Sequence, residues 1–358
     1  MNEIIREIIK KIVDAGFEAY IVGGYVRDYL LGLKTNDIDI ATNASVDNLT
    51  KIFGEMGTPN PKYCSYHILK DDYRFDITSY RKELEYKKNK PIKIEPAKDL
   101  KTDLLRRDFT INTFAMDKNG KFVDLLDSKV DLQNNIIRVV GDTYEKLSED
   151  KTRIIRAIRF SCTLNFELDD NIKEFLKEHG SMLNEIPREY IKKELDKIFD
   201  SDGYSKFFYL AKVYKLEKYL SIKFDNVKTA YNRIGVWAQI ETLLPLSNAE
   251  KKDIDCIKYL VGSHALTLSN MFLYNDNIVK NAGCILNMDR DVKEFYEIKN
   301  MHSIIDIDMD YEALFRYVPI VDIRRVYKKI EREILEGNLS NNKFAIERYI
   351  RNREYDRF

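Results

Sequence analysis

The sequence has no excess charge of either sign, few glycines and few prolines. Its 358 residues include 59 basic and 59 acidic side chains, which gives a formal net charge of zero. Net charge therefore gives no support for nucleic-acid binding, and any phosphate-binding surface must concentrate basic residues locally. The 14 glycines and 7 prolines stand beside 23 tyrosines and 18 phenylalanines. This balance favours a mainly helical protein over a β-sandwich.

Disulfide motifs, secretion signals and membrane spans are also missing. Cys64, Cys162, Cys256 and Cys284 are far apart and form no CxxC pair, which indicates reduced thiols. The first ten residues are amphipathic and charged, unlike a signal peptide. No apolar run is long enough to cross a bilayer. We therefore expect a cytoplasmic protein that does not associate with membranes, and we predict no protein partner.

The periodicity of the apolar residues changes near Gly141. Before that point, short apolar runs typical of strands alternate with helical spacing. The main predicted strands are 19–22, 38–41, 63–69 and 73–80. The stretch 81–103 is rich in lysine, contains two prolines and predicts a long mobile loop. After Gly141 nearly all of the sequence has a helical period.

These patterns predict an α+β fold in which a small mixed-sheet head is followed by helical segments only. No convincing internal repeat and no low-complexity segment interrupts this plan. The predicted segments, in chain order, are 1–140, 141–200, 201–280 and 281–358. The chemistry-bearing motifs all fall in the first two segments.

Two aspartates, Asp37 and Asp39, flank Ile38 at the start of the predicted strand 38–41. Residues i and i+2 of a strand project from the same face, so the two carboxylates lie side by side. Like charges this close repel each other unless a cation lies between them, and carboxylate oxygens suit Mg²⁺. Paired Mg²⁺ ions are a common device for nucleotidyl transfer. Carboxylate pairs are also frequent on protein surfaces, so this pair predicts a metal site only in combination with the motifs beside it.

A double glycine, Gly23-Gly24, lies between a predicted strand and a predicted helix about a dozen residues earlier. Glycines at such a junction let backbone N–H groups approach a phosphate, and a helix N-terminus favours anions. Arg27 adds a cation close by. The alternative is an ordinary tight turn. A phosphate-binding turn beside a carboxylate pair on the next strand favours the functional interpretation.

A third cluster lies at the end of a predicted helix. Arg106 and Arg107 precede Asp108, and Asn112 follows four residues later. Guanidinium groups can bind a triphosphate, and the carboxylate or amide can bind a ribose hydroxyl. The alternative is an arginine-rich face in contact with solvent.

A fourth cluster contains Asp150 and Arg153, followed by Arg156 and Arg159. At about 100° per residue, Asp150 and Arg153 would lie about 60° apart on one helix face. Cytosine and adenine both present an amine donor beside a ring-nitrogen acceptor, whereas uracil and guanine present the reverse. An aspartate acceptor beside an arginine donor therefore fits C and A and rejects U and G. The alternative is an i,i+3 salt bridge.

In this order and spacing, GGYVRD, DID, LLRRDFTIN and EDKTRIIRAIRF resemble the successive motifs of class II tRNA nucleotidyltransferases. These are the CCA-adding enzymes, a family shared with bacterial poly(A) polymerases. The resemblance covers about residues 1–200. It implies a seahorse-like arrangement of head, neck, body and tail, of which only the head is not helical. In that arrangement the neck selects the base and the tail binds tRNA.

The resemblance also implies roles for individual residues. The implied metal ligands, for Mg²⁺, are Asp37 and Asp39. The implied ligands of the nucleotide's phosphates and sugar are Gly23, Gly24, Arg27, Arg107, Arg156 and Arg159. Asp108 and Asn112 match positions near the ribose, and Asp76 matches a position that suggests a third catalytic acid. Asp150 and Arg153 match the amino-acid template for the incoming base.

The implied activity is template-independent addition of C, C and A to the 3′ acceptor end of tRNA, with CTP and ATP as substrates and pyrophosphate as product. Relatives that add only CC have a shortened loop at the position of 81–103, whereas the loop here has full length. The expectation is therefore that this loop remodels the pocket for A. Alternatives are an A-adding tRNA nucleotidyltransferase, a poly(A) polymerase, and a catalytically silent RNA-binding protein.

Overall fold

The protein was analysed as a computed structural model, which describes residues 2–263, 266, 271, 273–299, 307–353 and 355. The chain divides into two compact units, Met1–Ser221 and Ile222–Phe358. The four-segment division predicted above stays a prediction. Parts of its third and fourth segments, among them 300–306, lie outside the described residues.

The first unit begins with a seven-stranded sheet that carries the predicted carboxylate pair. In chain order the strands of the head are β1 (Ala19–Val22), β2 (Asp37–Thr42), β3 (Gly57–Asn60), β4 (Ser65–Lys70), β5 (Tyr73–Ser79), β6 (Arg81–Lys87), β7 (Lys90–Pro96), β8 (Ala115–Met116) and β9 (Phe122–Val123). The order across the sheet is β3-β4-β5-β2-β1-β8-β9. Only β2 and β5 pair in parallel, so the sheet is mixed as predicted. Strand β3 was not predicted, because GTPN has no alternating apolar residues.

Helices pack against both faces of this sheet, most of them against the face that carries Ile21, Ile38 and Ile40. The helices of the head are α1 (Glu3–Asp14), α2 (Gly24–Leu30), α3 (Val46–Phe53), α4 (Leu100–Leu105) and α5 (Lys129–Gln133). Helix α1 begins where the Asn2 side chain accepts a hydrogen bond from the N–H of Ile4. Its isoleucines at 5, 8, 9 and 12 are buried, as the i, i+3, i+4 pattern requires. They pack in the same core as inward-facing residues of β1, β2 and β5. The polar side chains of β2 are therefore left on the opposite face.

The prediction of a structure-poor loop at 81–103 is wrong. Strands β6 and β7 form an antiparallel hairpin, and α4 follows it. Lys88 and Asn89 at the turn both have positive φ, 50° and 61°, as in the two-residue turns that suit the twist of a hairpin. Pro91 and Pro96 are tolerated because both strands are edges of a two-stranded sheet. The hairpin lacks a continuous apolar face, so periodicity alone could not reveal it.

The remainder of the first unit is helical, which confirms the prediction from periodicity. Its helices are α6 (Thr143–Glu149), α7 (Thr152–Thr163), α8 (Asp170–His179), α9 (Arg188–Phe199), α10 (Tyr204–Val213) and α11 (Glu217–Leu220). One short parallel pairing, between Ile136–Ile137 and Glu167–Leu168, lies among them. Helix α7 buries Ile154 and Ile158, and on another face of the same helix Arg156 contacts Asp108 of the head.

The second unit is also mainly helical within its described residues. Its helices are Arg233–Trp237, Asn248–Gly262, Asp276–Leu286, Asp289–Lys299, Tyr311–Tyr317, Ile323–Leu335 and Lys343–Arg351. Ile222–Lys223 and Glu241–Thr242 form a short antiparallel pair. Asn281 is fully buried and donates to the side-chain oxygen of Asn232 at 3.0 Å. Across the described part of the chain, no helix combines the length and the apolar character that crossing a membrane requires.

Candidate active site

The carboxylates of Asp37 and Asp39 lie on the same face of β2. Both residues are exposed, whereas Ile38 and Ile40 between and after them are buried. Asp76 of β5 is the register partner of Asp39 across the parallel pairing. Paired residues on adjacent strands share a face, so three carboxylates meet on this side of the sheet.

The electrostatics of Asp39 fit a bound cation. Asp39 touches solvent, but the protein around it is dense enough that burial raises its pKa. Arg107 acts in the opposite direction and lowers the pKa, whereas the Asp76 and Asp37 carboxylates raise it further. A divalent cation between hard carboxylate oxygens would relieve this repulsion. The described residues contain no group of three or more potential ligand side chains arranged as a complete metal cluster. Asp37 and Asp39 are the side chains of β2 that could hold a metal on this face.

Gly23 allows the carboxylates and an arginine to approach the backbone closely. It has φ +73°, and a Cβ there would lie 3.3 Å from Oδ2 of Asp39 and 3.1 Å from Nη1 of Arg107. Helix α2 begins at the next residue, Gly24. A side chain at 23 would thus be strained and would crowd the β2 face.

Asp103 holds the Arg107 guanidinium in place, while the Nε of Arg107 has no hydrogen-bond partner among the described residues. Its Nη2 donates to Oδ2 of Asp103 at 3.2 Å, and Asp103, fully buried, also accepts from Nε of Arg106 at 2.9 Å. Burial opposes ionisation of Asp103, but the two guanidinium groups outweigh it and lower its pKa. Nε of Arg107 is buried and has no hydrogen-bond partner within the described structure. A buried donor without a partner next to the carboxylate face is suited to a phosphate oxygen.

Arg27, Asn112, Asp108 and Arg156 form one hydrogen-bonded chain. Arg27 donates through Nη1 to Oδ1 of Asn112 at 2.6 Å, and Asn112 donates to Oδ1 of Asp108 at 2.9 Å. Arg156 donates through Nε to Oδ2 of Asp108 at 2.9 Å. Burial opposes ionisation of Asp108, but Arg156 and Asn112 outweigh it and hold its pKa well below the usual range.

Asp150 and Arg153 do not share one helix, contrary to the sequence-based geometry. Helix α6 ends at Glu149 and α7 begins at Thr152, so Asp150 lies at the junction. Its Oδ1 accepts from the N–H of Thr152 at 3.0 Å, and its Oδ2 lies 3.9 Å from Nε of Arg153. The acceptor and the donor are adjacent as predicted, but a break between two helices brings them together.

The guanidinium group of Arg153 is held at four of its five donors. Nη1 donates to the carbonyl of Lys146 at 3.0 Å and to Glu149 at 2.7 Å. Nη2 donates to the hydroxyl of Tyr86 at 3.0 Å and to the carbonyl of Arg106 at 3.4 Å. This leaves the Nε–H next to Asp150. The orientation of Arg153 therefore depends on the β6–β7 hairpin as well as on its own helix.

Arg159 pairs with Glu194 and not with Asp108 or Asp150. Its Nε donates to Oε2 of Glu194 on α9 at 2.5 Å. Its guanidinium also lies 3.8 Å from the ring centroid of Phe160, which Arg27 and Arg156 approach at 4.9 and 5.6 Å. Phe160 thus packs against three of the predicted arginines. A nucleotide-binding role for Arg159 stays a prediction.

Two adjoining cavities contain most of these groups. One, of about 280 Å³, is lined by Glu83, Arg106, Arg107, Asp108, Asp150, Thr152, Arg153, Arg156 and Tyr190. The other, of about 360 Å³, contains Asp39, His67 and Asp76. Arg106 and Arg107 line both cavities. Four arginines and three acidic residues line the first cavity, and Arg106 and Arg107 connect it to the carboxylates.

Sequence reasoning missed several residues of this site. They are Glu83, Tyr86, Asp103 and Tyr190. Glu83 accepts from Nη1 of Arg106 at 3.2 Å. The two residues are too far apart in the sequence for their spacing to predict this contact. Asp103 could have been found, because it lies three and four residues before the two arginines that it holds.

A mixed sheet with paired carboxylates, an arginine-lined cavity and a helical continuation defines a nucleotidyltransferase. The poly A polymerase head domain family matches residues 19–138. A CCA-adding enzyme of Ligilactobacillus salivarius is 29% identical over 376 residues, which cover 94% of this chain and 93% of the relative. A CCA-adding enzyme of Streptococcus mutans is 28% identical, with 96% of this chain and 95% of the relative covered.

Solved structures agree on the fold. The Bacillus stearothermophilus CCA-adding enzyme in complex with CTP has a TM-score of 0.71 at 21% identity, covering 99% of this chain and 97% of the other. The Thermotoga maritima CCA-adding enzyme complexed with tRNA has a TM-score of 0.62 at 20% identity, covering 98% and 95%. The chain is thus similar along nearly its whole length to CCA-adding enzymes, and its residues 19–138 match the poly A polymerase head domain family.

Proposed function

We propose that this chain adds C, C and A to the 3′ end of tRNA from CTP and ATP, with release of pyrophosphate. The observation that carries the proposal is the adjacency of Asp150 Oδ2 and Arg153 Nε, 3.9 Å apart, in the arginine-lined cavity that adjoins the carboxylates. The relatives that match nearly the whole chain are named CCA-adding enzymes, and related structures hold CTP and tRNA. A cytoplasmic location is part of the proposal.

Asp37 and Asp39 would hold Mg²⁺ on the face of β2. When bound, Mg²⁺ supplies activation of the attacking hydroxyl and neutralisation of the triphosphate. Arg107 would donate its unpartnered Nε–H to a phosphate oxygen, held in place by Asp103. Asp76 lies beside Asp39 on the adjacent strand and is the proposed third acid.

Base selection would depend on one acceptor and one donor. Asp150 accepts the exocyclic amine of cytosine or adenine, and Nε of Arg153 donates to the adjacent ring nitrogen. Uracil and guanine would place a carbonyl against Asp150 and an N–H against Arg153. The Asp150 carboxylate and the Arg153 Nε–H would then be covered by the base without a partner, which makes the rejection strong. The network of Asp108, Asn112 and Arg27 would hold the ribose side of the pocket.

The test is product analysis on tRNA transcripts that end at the discriminator base, at C or at CC. With labelled CTP and ATP we expect completion of CCA on all three transcripts, and little incorporation from UTP or GTP. Addition of A to the CC transcript alone would identify an A-adding enzyme instead. Long A tails on unrelated RNA would identify a poly(A) polymerase. No incorporation with Mg²⁺ present would overturn the proposal.

A further inference from the structure

A groove of about 810 Å³ lies between the β6–β7 hairpin and the short segment that follows β3. The groove, called here the lysine groove, is lined by Pro61, Lys62, Tyr63, Cys64, Lys87, Lys88, Lys90, Pro91, Ile92, Ile94 and Pro187. Four of these residues are lysines and none is acidic. The chain as a whole has no net charge, so this is a local concentration of positive charge.

The four lysines are exposed and are not neutralised by neighbours. Among the residues that the structure describes, Lys62, Lys87, Lys88 and Lys90 form no ion pair. Lys93 on the same hairpin, by contrast, lies 3.5 Å from Glu85. Cations along one groove that lack anionic partners are suited to a polyanion.

The lysine groove leads to the catalytic carboxylates. Tyr63 lines both the groove and the cavity that contains Asp39 and Asp76. The backbone carbonyl of Tyr63 accepts a hydrogen bond from the guanidinium of Arg81, which fixes this junction. The ammonium of Lys62 lies 5.4 Å from the centroid of the Tyr63 ring. An aromatic ring and a cation thus meet where the groove reaches the active site.

Single-stranded nucleic acid is bound without sequence preference by grooves that combine cations for the backbone with aromatic rings for the bases. The proposed reaction requires such contacts, because the primer end changes from the discriminator base to C and then to CC. We propose that the lysine groove guides the single-stranded 3′ end of the RNA primer to Asp39, with Tyr63 as a platform for a base near the terminus. This inference rests on the proposed transfer to an RNA 3′ end.

The test compares two double variants of equal charge change. Lys62→Glu with Lys90→Glu reverses the groove. Lys118→Glu with Lys121→Glu reverses two exposed lysines near the β8–β9 turn, at the opposite edge of the sheet. In the groove variant we expect the KM for an acceptor-stem RNA to rise at least about tenfold while the KM for CTP and the Tm stay unchanged. The slope of log affinity against log salt should become shallower by about 0.7 for each phosphate that the variant fails to neutralise.

Tyr63 is tested separately. Tyr63→Leu should raise the KM for RNA about tenfold, whereas Tyr63→Phe should retain the wild-type value, because stacking needs the ring and not the hydroxyl. An unchanged KM for RNA in the groove variant, or an equal change in the control variant, would overturn the inference. A rise confined to the KM for CTP would also overturn it, since the groove would then serve the nucleotide.

Failure of the proposed function is distinguishable from failure of this inference. If the wild-type protein incorporates no nucleotide, the function proposal fails, and the groove is tested by binding of a 5′-fluorescein-labelled acceptor-stem RNA with a free 3′ end. Weaker binding by the groove variant than by the control variant supports the groove. Equal binding by the two variants refutes it.

Discussion

The hydroxyl of Tyr86 lies 3.0 Å from Nη2 of Arg153, so the β6–β7 hairpin holds the arginine that faces Asp150. The same hydroxyl donates to Glu83, and Glu83 accepts from Arg106 at 3.2 Å. At the tip of the hairpin, Asn89 donates to the carbonyl of Glu185 at 3.2 Å and accepts from the N–H of Lys151 at 3.1 Å. The hairpin therefore contacts both the residue that follows Asp150 and the arginine that is proposed to select the base.

The first prediction concerns this hairpin. Replacing residues 84–95 by a few glycines, with Glu83 retained, should cripple terminal A addition far more than C addition. Both are measured at saturating RNA, because the change also removes six residues of the lysine groove. One pocket must accept bases of two sizes. Without Tyr86, Arg153 keeps its other three hydrogen bonds for C, but the hairpin no longer adjusts its position for the larger A. Gel-resolved products on tRNA lacking CCA should stop at CC. Tyr86→Phe, which removes a single hydroxyl, should show the same bias more weakly.

An equal loss of C and A addition in the shortened variant would refute the switch role of the hairpin. Retention of both activities would refute it as well. Tyr29→Phe is a matched control, because Tyr29 is half exposed on α2 and lines neither of the two cavities of the site.

The second prediction concerns the metal ligands. Asp39→Ala should reduce nucleotide incorporation by at least about a thousandfold, since Mg²⁺ would lose half of its protein ligands. Affinity for tRNA should change less than about threefold. Asp72→Ala, an exposed carboxylate in the turn after β4, is the control and should be fully active. Near-normal incorporation by Asp39→Ala would refute the metal assignment.

The third prediction concerns base choice. Asp150→Asn presents an amide donor where the carboxylate accepted, so the preference for CTP over UTP should narrow by about 10- to 100-fold, with lower activity. The Asp150 side chain also accepts hydrogen bonds from Thr152, and their weakening costs about 1 kcal/mol. Kinetics should therefore be measured below a Tm determined for each variant. Unchanged rejection of UTP by an active Asp150→Asn variant would contradict the template.

The fourth prediction concerns stability as a function of pH. Since its folded pKa is depressed, Asp108 contributes stability that is fully present above its unfolded pKa of about 3.9 and is lost as the pH falls through the folded pKa. Asp108→Asn should lower the free energy of unfolding by about 3 kcal/mol at pH 7, because Arg156 loses its partner.

Urea denaturation at pH 7, 5, 4 and 3 tests this prediction. The deficit of the Asp108→Asn variant should be constant between pH 7 and 5 and should shrink only below about pH 4. Asp72→Asn, an exposed carboxylate in the turn after β4, should show no comparable deficit. A deficit that already disappears at pH 5 would mean that the Asp108–Arg156 pair is not its source.

The sequence by itself determined the elements whose periodicity is local. The period of two in β2 put Asp37 and Asp39 on one face, and the apolar spacing predicted α3 and α9 with the bounds that the structure has. The four motifs and their order indicated the family. These features depend on residues that are close together in the sequence, so the spacing of residue types is enough to predict them.

Tertiary structure alone decided the contacts between distant segments. The hairpin is mostly exposed, so no buried face marked it in the sequence, and its contacts with Arg153 and Lys151 cross more than sixty residues. Asp150 and Arg153 were predicted as neighbours on one helix, yet the break after Glu149 sets their geometry. Hydrogen bonds between distant segments depend on how helices and strands pack against each other. Packing is set by the whole fold, so the spacing of residues along the chain cannot predict these bonds.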